Sequence, residues 1–258
     1  MGPIFLGVSL KMYLDHAATL RWVRDVVAIA GAAPAVADGR VQVAVLPTFV
    51  SIPAVAELTR DASVDHGAQD LAWADQGAFT GEVSGGDLAG FGCRYVEVGH
   101  AERRRLFGED DAIVARKLAA AVRHGLVPIL CVGEPDRQDS VAAVDFCVDQ
   151  VRAGLAEIGT GRVETVEELI IAYEPVWAIG ADKPAGVDHV RSVCAGIRAG
   201  VIGDHRVSAV RVIYGGSAGP GLLSELGREG ADGLFLGRFA HDPKALSTMI
   251  DEASALAG

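Results

Sequence analysis

The sequence predicts an α/β fold of one kind: a single-domain (β/α)8 barrel, eight parallel strands each followed by a helix, over residues 1–258. Three observations predict it. Eight short, almost wholly apolar runs alternate with longer helical patterns from one end of the chain to the other. Most runs do not alternate apolar with polar, so they are expected to be covered on both faces, as in a parallel sheet. No Pro/Gly/Ser-rich linker divides the chain, and no G-x-G-x-x-G turn follows the first run, as a doubly wound dinucleotide-binding sheet would more often show.

Taken in order, the expected strands are Ile4–Ser9, Val41–Leu46, Val64–Gly67, Tyr95–Val98, Val127–Val132, Leu169–Tyr173, Val210–Ile213 and Gly233–Leu236. Helical periodicity is expected over Ala17–Ala30, Asp111–His124, Val141–Ile158, Val187–Ile202 and Pro243–Ala257. Asp110 and Asp111 are candidate caps for one of these helices, and Pro220 fits an early helical turn.

Composition narrows the function classes. Half of the 258 residues are apolar and 22% are charged, which allows a large core and argues against disorder. The longest apolar stretches, such as Leu126 to Val132, are far too short to span a bilayer, and the segment MGPIFLGVSLK has neither a basic head nor a signal-length apolar run. A cytoplasmic enzyme without membrane attachment is expected. The formal net charge of −11 repels nucleic acid and anionic lipid, so an anionic ligand would need a local, preorganised site. Cys93, Cys131, Cys147 and Cys194 are scattered without a C-x-x-C pair and are expected as buried thiols in a reducing compartment.

Active sites of such barrels gather at the C-terminal ends of the strands, and four junctions carry chemistry. The first strand runs into Ser9-Leu10-Lys11-Met12-Tyr13, which would set an ammonium over the barrel mouth; a surface lysine would also account for Lys11 taken alone. The fourth runs into Gly99-His100-Ala101-Glu102, at the start of a helix. The positive end of the helix dipole opposes a cation there, so His100 is expected as a neutral hydrogen-bond donor; a histidine that merely caps the turn would account for it equally well taken alone. The sixth delivers Glu174-Pro175-Val176-Trp177 and then small residues through Gly180, a pattern suited to a base beside a mobile lid. The seventh and eighth end in Gly215-Gly216-Ser217 and Gly237-Arg238, glycine-rich backbone of the sort that holds phosphate.

Two other chemistries touch the same residues. Gly215 to Gly219 fits G-x-S-x-G, with Asp232 and His241 following in the order of an α/β hydrolase that would use Ser217 as nucleophile. His100-x-Glu102 fits half of a zinc-deaminase signature, but no P-C-x-x-C follows, so no metal and no cofactor are expected.

With these junctions assembled, the chain resembles the triosephosphate isomerase family, from Ile4 to about Phe239. The resemblance rests on Leu10-Lys11-Met12, GHAERRRLFGE from Gly99, PILCVGE from Pro128, AYEPVWAIG from Ala172 and YGGS from Tyr214. It implies a TIM barrel and the roles known for that family. Glu174 would be the base that removes a carbon-bound proton, His100 the neutral electrophile, and Lys11 the cation that steadies enediolate and phosphate. Gly180, Ser217 and Gly237 match phosphate-contacting positions, Glu102 a carboxylate near Lys11, and Cys131 a buried cysteine behind the base. The segment Gln69 to Glu82 resembles an interdigitating loop, which implies a homodimer with Thr80 supporting the neighbouring site.

The departures from the family pattern gather around the substrate. Ser9 and Leu10 stand where the family has asparagine and tryptophan, Ala101 replaces a serine, and Ala181-Asp182 replace threonine and glycine in the lid. Arg238 replaces a glycine; it could contact the phosphate or point outward. Ser9 and Ala101 remove bulk and polar groups from the end of the pocket away from the phosphate. A four-carbon ketose phosphate carries one more CH₂OH there than a triose. On this steric ground, and by resemblance to superfamily members of sugar-alcohol catabolism with similar replacements, the expected reaction is conversion of L-erythrulose 1-phosphate to D-erythrulose 4-phosphate, with isomerisation of triose phosphates (dihydroxyacetone phosphate to D-glyceraldehyde 3-phosphate) as the alternative. A non-catalytic phosphosugar sensor is the third reading; the retained Lys11, His100 and Glu174 speak against it.

Overall fold

The computed structural model describes residues 2–161 and 163–258. Eight strands hydrogen-bond in sequence order and close on themselves: β1 (Ile4–Ser9), β2 (Val41–Leu46), β3 (Val64–Ala68), β4 (Tyr95–Val98), β5 (Val127–Val132), β6 (Val166–Tyr173), β7 (Val207–Tyr214) and β8 (Gly233–Leu236). Every pairing is parallel, and the ring closes where Phe5 and Leu6 of β1 face Gly233 and Leu234 of β8. The (β/α)8 barrel is thus observed, and the uniform apolar character of the strands has its explanation in two cores.

Alternate side chains of each strand point to opposite faces. One set fills the barrel interior, with Phe5, Tyr95, Ile129, Ile170, Ile213 and Phe235 among its members. The other set packs outward against the helices, as Val96 and Val98 do in β4. Arg211 closes the lower end: it donates to Gln42 Oε1 at 2.7 Å, pairs with Glu168, and lies over the Phe5 ring.

The helices follow the predicted order with several differences. They are α1 (His16–Ala32), α2 (Pro34–Ala37), α3 (Ile52–Thr59), α4 (Gly85–Gly90), α5 (Ala101–Phe107), α6 (Asp111–Arg123), α7 (Ser140–Gly154), α8 (Val187–Val201), α9 (Leu222–Gly230) and α10 (Pro243–Leu256). Asp110, not Asp111, caps α6: its carboxylate accepts the Ile113 amide at 2.8 Å, a contact worth about 1 kcal/mol, and Val114, Leu118 and Ala121 form the buried stripe that follows. The helix expected to reach Ile158 ends at Gly154, and Pro220 precedes α9 rather than sitting in its first turn. No helix among the described residues is long and apolar enough to cross a membrane.

Candidate active site

A cavity of about 590 Å³ opens at the C-terminal end of the barrel. Ser9, Lys11, His100, Glu174, Ser217 and Arg238 all reach it, along with Ala101, Glu102, Cys131, Gly180, Gly215 and Gly237. Residues far apart in the chain, carried on or after six of the eight strands, therefore share one rim.

Glu174 follows β6 directly and is 6% exposed. Two glycines make its position possible. A β-carbon on Gly133 would lie 2.0 Å from the Glu174 carbonyl oxygen, and one on Gly215 would lie 2.4 Å from Oε1. The Gly215 amide is already donated to the Tyr173 carbonyl at 2.9 Å, so this glycine supplies room for the carboxylate rather than an amide for phosphate. Glu174 Oε2 lies 3.3 Å from His100 Nε2 yet is buried without an aligned hydrogen bond. Burial drives the carboxyl up to about 8; Lys11 opposes this and Glu97 reinforces it.

His100 caps α5, and its Nδ1 accepts the Glu102 amide at 3.1 Å. The proton of the neutral ring is thereby assigned to Nε2, which faces the cavity. Burial, with the Lys11 ammonium beside it, lowers the imidazole to about 4, so the ring is uncharged at neutral pH. Lys11 Nζ approaches Nε2 to 3.0 Å and donates to Glu102 Oε1 at 2.9 Å. Desolvation works against the ammonium, but Glu174, Glu97 and Glu102 outweigh it and hold its pKa above the ordinary value. Lys11 and Ser217 are the two non-glycine residues with positive φ among the described residues, 48° and 54°, and both face this cavity.

The opposite end is built from the loops after β6, β7 and β8. Ser217 donates its hydroxyl to the Ala178 carbonyl at 2.8 Å, which ties the loop after β7 to the loop after β6. Arg238 is exposed and lines the cavity, and a β-carbon on Gly180 would come within 3.8 Å of its Nη2; of the two orientations open to it, it takes the one beside the lid. Gly216 is not among the lining residues; its carbonyl accepts the Tyr214 hydroxyl at 2.7 Å. Thr80 lies at the exposed tip of the loop after β3, away from this chain's own cavity. Cys131 is buried, and its thiol is pushed far up by desolvation, so it is no nucleophile.

Three functional features were not singled out in the sequence. Glu97 is a buried carboxylate whose Oε2 accepts the Ser9 hydroxyl at 2.8 Å. Glu134, the last residue of the Pro128 motif, is fully buried and accepts from Tyr173 Oη at 3.1 Å and from Trp177 Nε1 at 2.8 Å, anchoring the start of the loop after β6. Gln69 donates to the carbonyls of Lys11 and Leu46, so the loop after β3 fixes the strained turn that carries Lys11. Gln69 opens the stretch that resembles the interdigitating loop and Glu134 closes the PILCVGE motif, so place within a family motif is the one sequence signal either carries.

The hydrolase reading fails on placement. Ser217 sits at the C-terminal rim, whereas Asp232 precedes β8 at the other end of the barrel, occupied by Arg198 and the Val212 amide. No group of three or more His, Cys, Asp or Glu side chains among the described residues is arranged to hold a metal.

Comparison with known proteins gives the same lineage as the geometry. The family model described as triosephosphate isomerase matches residues 4–253. The chain is 48% identical over 251 residues to an L-erythrulose-1-phosphate isomerase of Pectobacterium atrosepticum, covering 97% of this chain and 96% of the relative. It is 40% identical over 222 residues to a triosephosphate isomerase of Moorella thermoacetica, covering 84% of this chain and 88% of that one. A triosephosphate isomerase of Mycobacteroides abscessus is 41% identical over 254 residues, 96% of this chain and 95% of the relative. With the barrel, the strand-end constellation and these matches in agreement, the chain belongs to the triosephosphate isomerase family and is an isomerase.

Proposed function

We propose that this isomerase converts L-erythrulose 1-phosphate to D-erythrulose 4-phosphate, using Glu174, His100 and Lys11 as its catalytic residues. The observation that carries the reading is that the two small residues, Ser9 and Ala101, both line the cavity beside His100 and Glu174. They leave space at the reacting carbons for the extra CH₂OH of a tetrulose. The 48% identity to a relative of that name over nearly both whole chains supports the same substrate.

Glu174 takes the proton from the carbon next to the carbonyl, which leaves an enediolate across the two central carbons. His100 Nε2–H and the Lys11 ammonium, both donors aimed into the cavity, meet the charge that develops on the two oxygens. His100 passes the hydroxyl proton from one oxygen to the other. Glu174 then returns its proton to the neighbouring carbon, and the carbonyl has moved by one position. Gly180, Ser217, Gly237 and Arg238 hold the phosphate at the far end of the cavity. A neutral imidazole suits this chemistry because its Nε2 proton is matched to the weakly acidic enediol, where an imidazolium would be too strong an acid.

The chain works as a single catalytic domain without a cofactor and without nucleic-acid or membrane partners. It assembles as a homodimer through the Gln69–Glu82 loop. The four cysteines are unpaired and buried, which supports a reducing, cytoplasmic setting.

Turnover of L-erythrulose 1-phosphate and dihydroxyacetone phosphate by the same purified enzyme tests the substrate. A larger kcat/KM for the tetrulose phosphate is expected. A larger value for the triose phosphate would make this a triosephosphate isomerase.

A further inference from the structure

The barrel interior holds a group that apolar packing does not explain. Tyr95 and Glu97 are the two inward-facing residues of β4, and the layers around them are built of side chains such as Leu46, Ile129, Cys131 and Ala172. Such interiors are ordinarily filled with branched apolar residues, and a lone carboxylate there pays heavily in desolvation. Glu97 is 3% exposed, and it sits behind Ser9 rather than in the cavity wall. Its Oε2 accepts the Ser9 hydroxyl at 2.8 Å, while Oε1 lies 3.9 Å from both His100 Nε2 and Cys131 Sγ.

This pairing decides what Ser9 can offer a ligand. A serine hydroxyl has one proton and two lone pairs. Once the proton is committed to Glu97, the part of Ser9 that faces the cavity is an acceptor, and an acceptor selects a ligand that carries an O–H. The C4 hydroxyl of a tetrulose phosphate is such a donor; dihydroxyacetone phosphate carries its O–H on the reacting carbon and has none at that further position. A buried polar group left unpaired by the shorter substrate would discriminate against it.

We propose that Glu97 is a positioning residue that fixes Ser9 as a hydrogen-bond acceptor for the terminal hydroxyl of a four-carbon ketose phosphate, so that the Ser9–Glu97 pair sets the substrate preference. The proposal deepens the tetrulose-phosphate reading and rests on it. Charge and proton-bearing groups around Glu97 are Lys11 after β1, Asp70 after β3, His100 and Glu102 after β4, Cys131 on β5 and Glu174 after β6. Burial pushes the Glu97 carboxyl up to about 7, with Lys11 opposing, so the pair changes its proton pattern near neutrality.

The test is the ratio of kcat/KM for L-erythrulose 1-phosphate to that for dihydroxyacetone phosphate, measured across pH in Ser9→Ala, Glu97→Leu, the double variant and Glu97→Gln. The ratio cancels free-enzyme titrations common to both substrates, including that of Glu174. Ser9→Ala and Glu97→Leu should each lower it by roughly tenfold, and the double variant should lose no more than either alone, since they break one device. Glu97→Gln keeps an acceptor oxygen for Ser9 and should hold the ratio within about threefold, but without the fall below about pH 7 expected of the native enzyme. An unchanged ratio in Ser9→Ala, or losses that multiply in the double variant, would overturn the proposal. If Glu97→Leu does not fold, a native-like pH dependence of the ratio in Glu97→Gln would overturn it by itself. A native enzyme that prefers the triose phosphate would instead sink the tetrulose reading, which the same measurement reports separately.

Discussion

Glu174 is placed by what surrounds it as much as by its own strand. The missing side chains of Gly133 and Gly215 leave room for its carbonyl and carboxylate, from which a β-carbon on those residues would lie 2.0 and 2.4 Å. Glu174→Asp would retract the carboxylate by one methylene inside this fixed frame. A loss of kcat on the order of 100-fold with little change in KM is expected, read from steady-state kinetics. Equal losses in binding and turnover would assign Glu174 a positioning role only. The pH dependence has a definite sign. Glu174, the proposed base, would work deprotonated and burial holds it at about 8, so kcat/KM should rise with pH through that value and fall on the acid side. His100, lowered to about 4, stays neutral across this window and adds no limb of its own. An acid limb near 4 to 5 would mean that Glu174 is ionised in the free enzyme. Lys11, His100 and Glu174 were legible in the sequence because each closes a strand within a distinctive run of neighbours. Glu97 was not. In Tyr95-Val96-Glu97-Val98 nothing local says which face meets the helices, and only barrel closure turns the carboxylate inward.

Secondary elements were legible to the extent that burial alone specifies them. Continuous apolar runs marked the barrel strands, but β6 and β7 begin three residues earlier than those runs, at Val166 and Val207, where Glu167, Glu168 and Ser208 carry no apolar signal. Ladder hydrogen bonds extend these strands into the polar lower rim. The short helices α3, α4, α5 and α9 escaped the periodicity because six to nine residues hold too few turns, and α4 (GGDLAG) has poor intrinsic propensity. Tertiary contacts hold them. For α5 the contact is a buried ion network with α6 and the loop after β3: Lys117, 2% exposed, donates to Asp70 Oδ1 at 2.6 Å and to Glu109 Oε1 at 2.6 Å, while Arg103 of α5 reaches both carboxylates. Lys117→Met would leave two buried carboxylates to share the Arg103 guanidinium, with one negative charge in excess. Destabilisation of about 3–5 kcal/mol is expected in urea unfolding, since removal of one partner from a buried ion network leaves its charge uncompensated. A change under 1 kcal/mol would show that water replaces the ammonium there.

On the scale of the whole molecule, the catalytic rim and the proposed dimer contact are one construction. The loop after β3 runs out to a tip, residues 76–82, that is exposed throughout, with Phe79 39% exposed. At its base Gln69 holds the Lys11 carbonyl, and the next residue, Met12, is 90% exposed, followed by Tyr13 at 59%. Large apolar side chains presented beside a projecting loop are surface that a second copy of the chain would cover, each contributing at about 25 cal/mol per Å² removed from water. The coupling runs both ways: covering Met12 would restrain the turn on which Lys11 holds its positive φ, and loss of the partner would release it. A dimer by sedimentation velocity is therefore expected for the native chain. Replacing residues 76–82 with a short Gly-Ser turn should give a folded monomer with the barrel's far-ultraviolet circular dichroism intact and kcat reduced by at least about tenfold, because the turn that carries Lys11 loses its cover and each site loses the partner's Thr80. A variant that is monomeric yet fully active would separate assembly from catalysis, and a native chain that sediments as a monomer would leave the exposed tip without its partner.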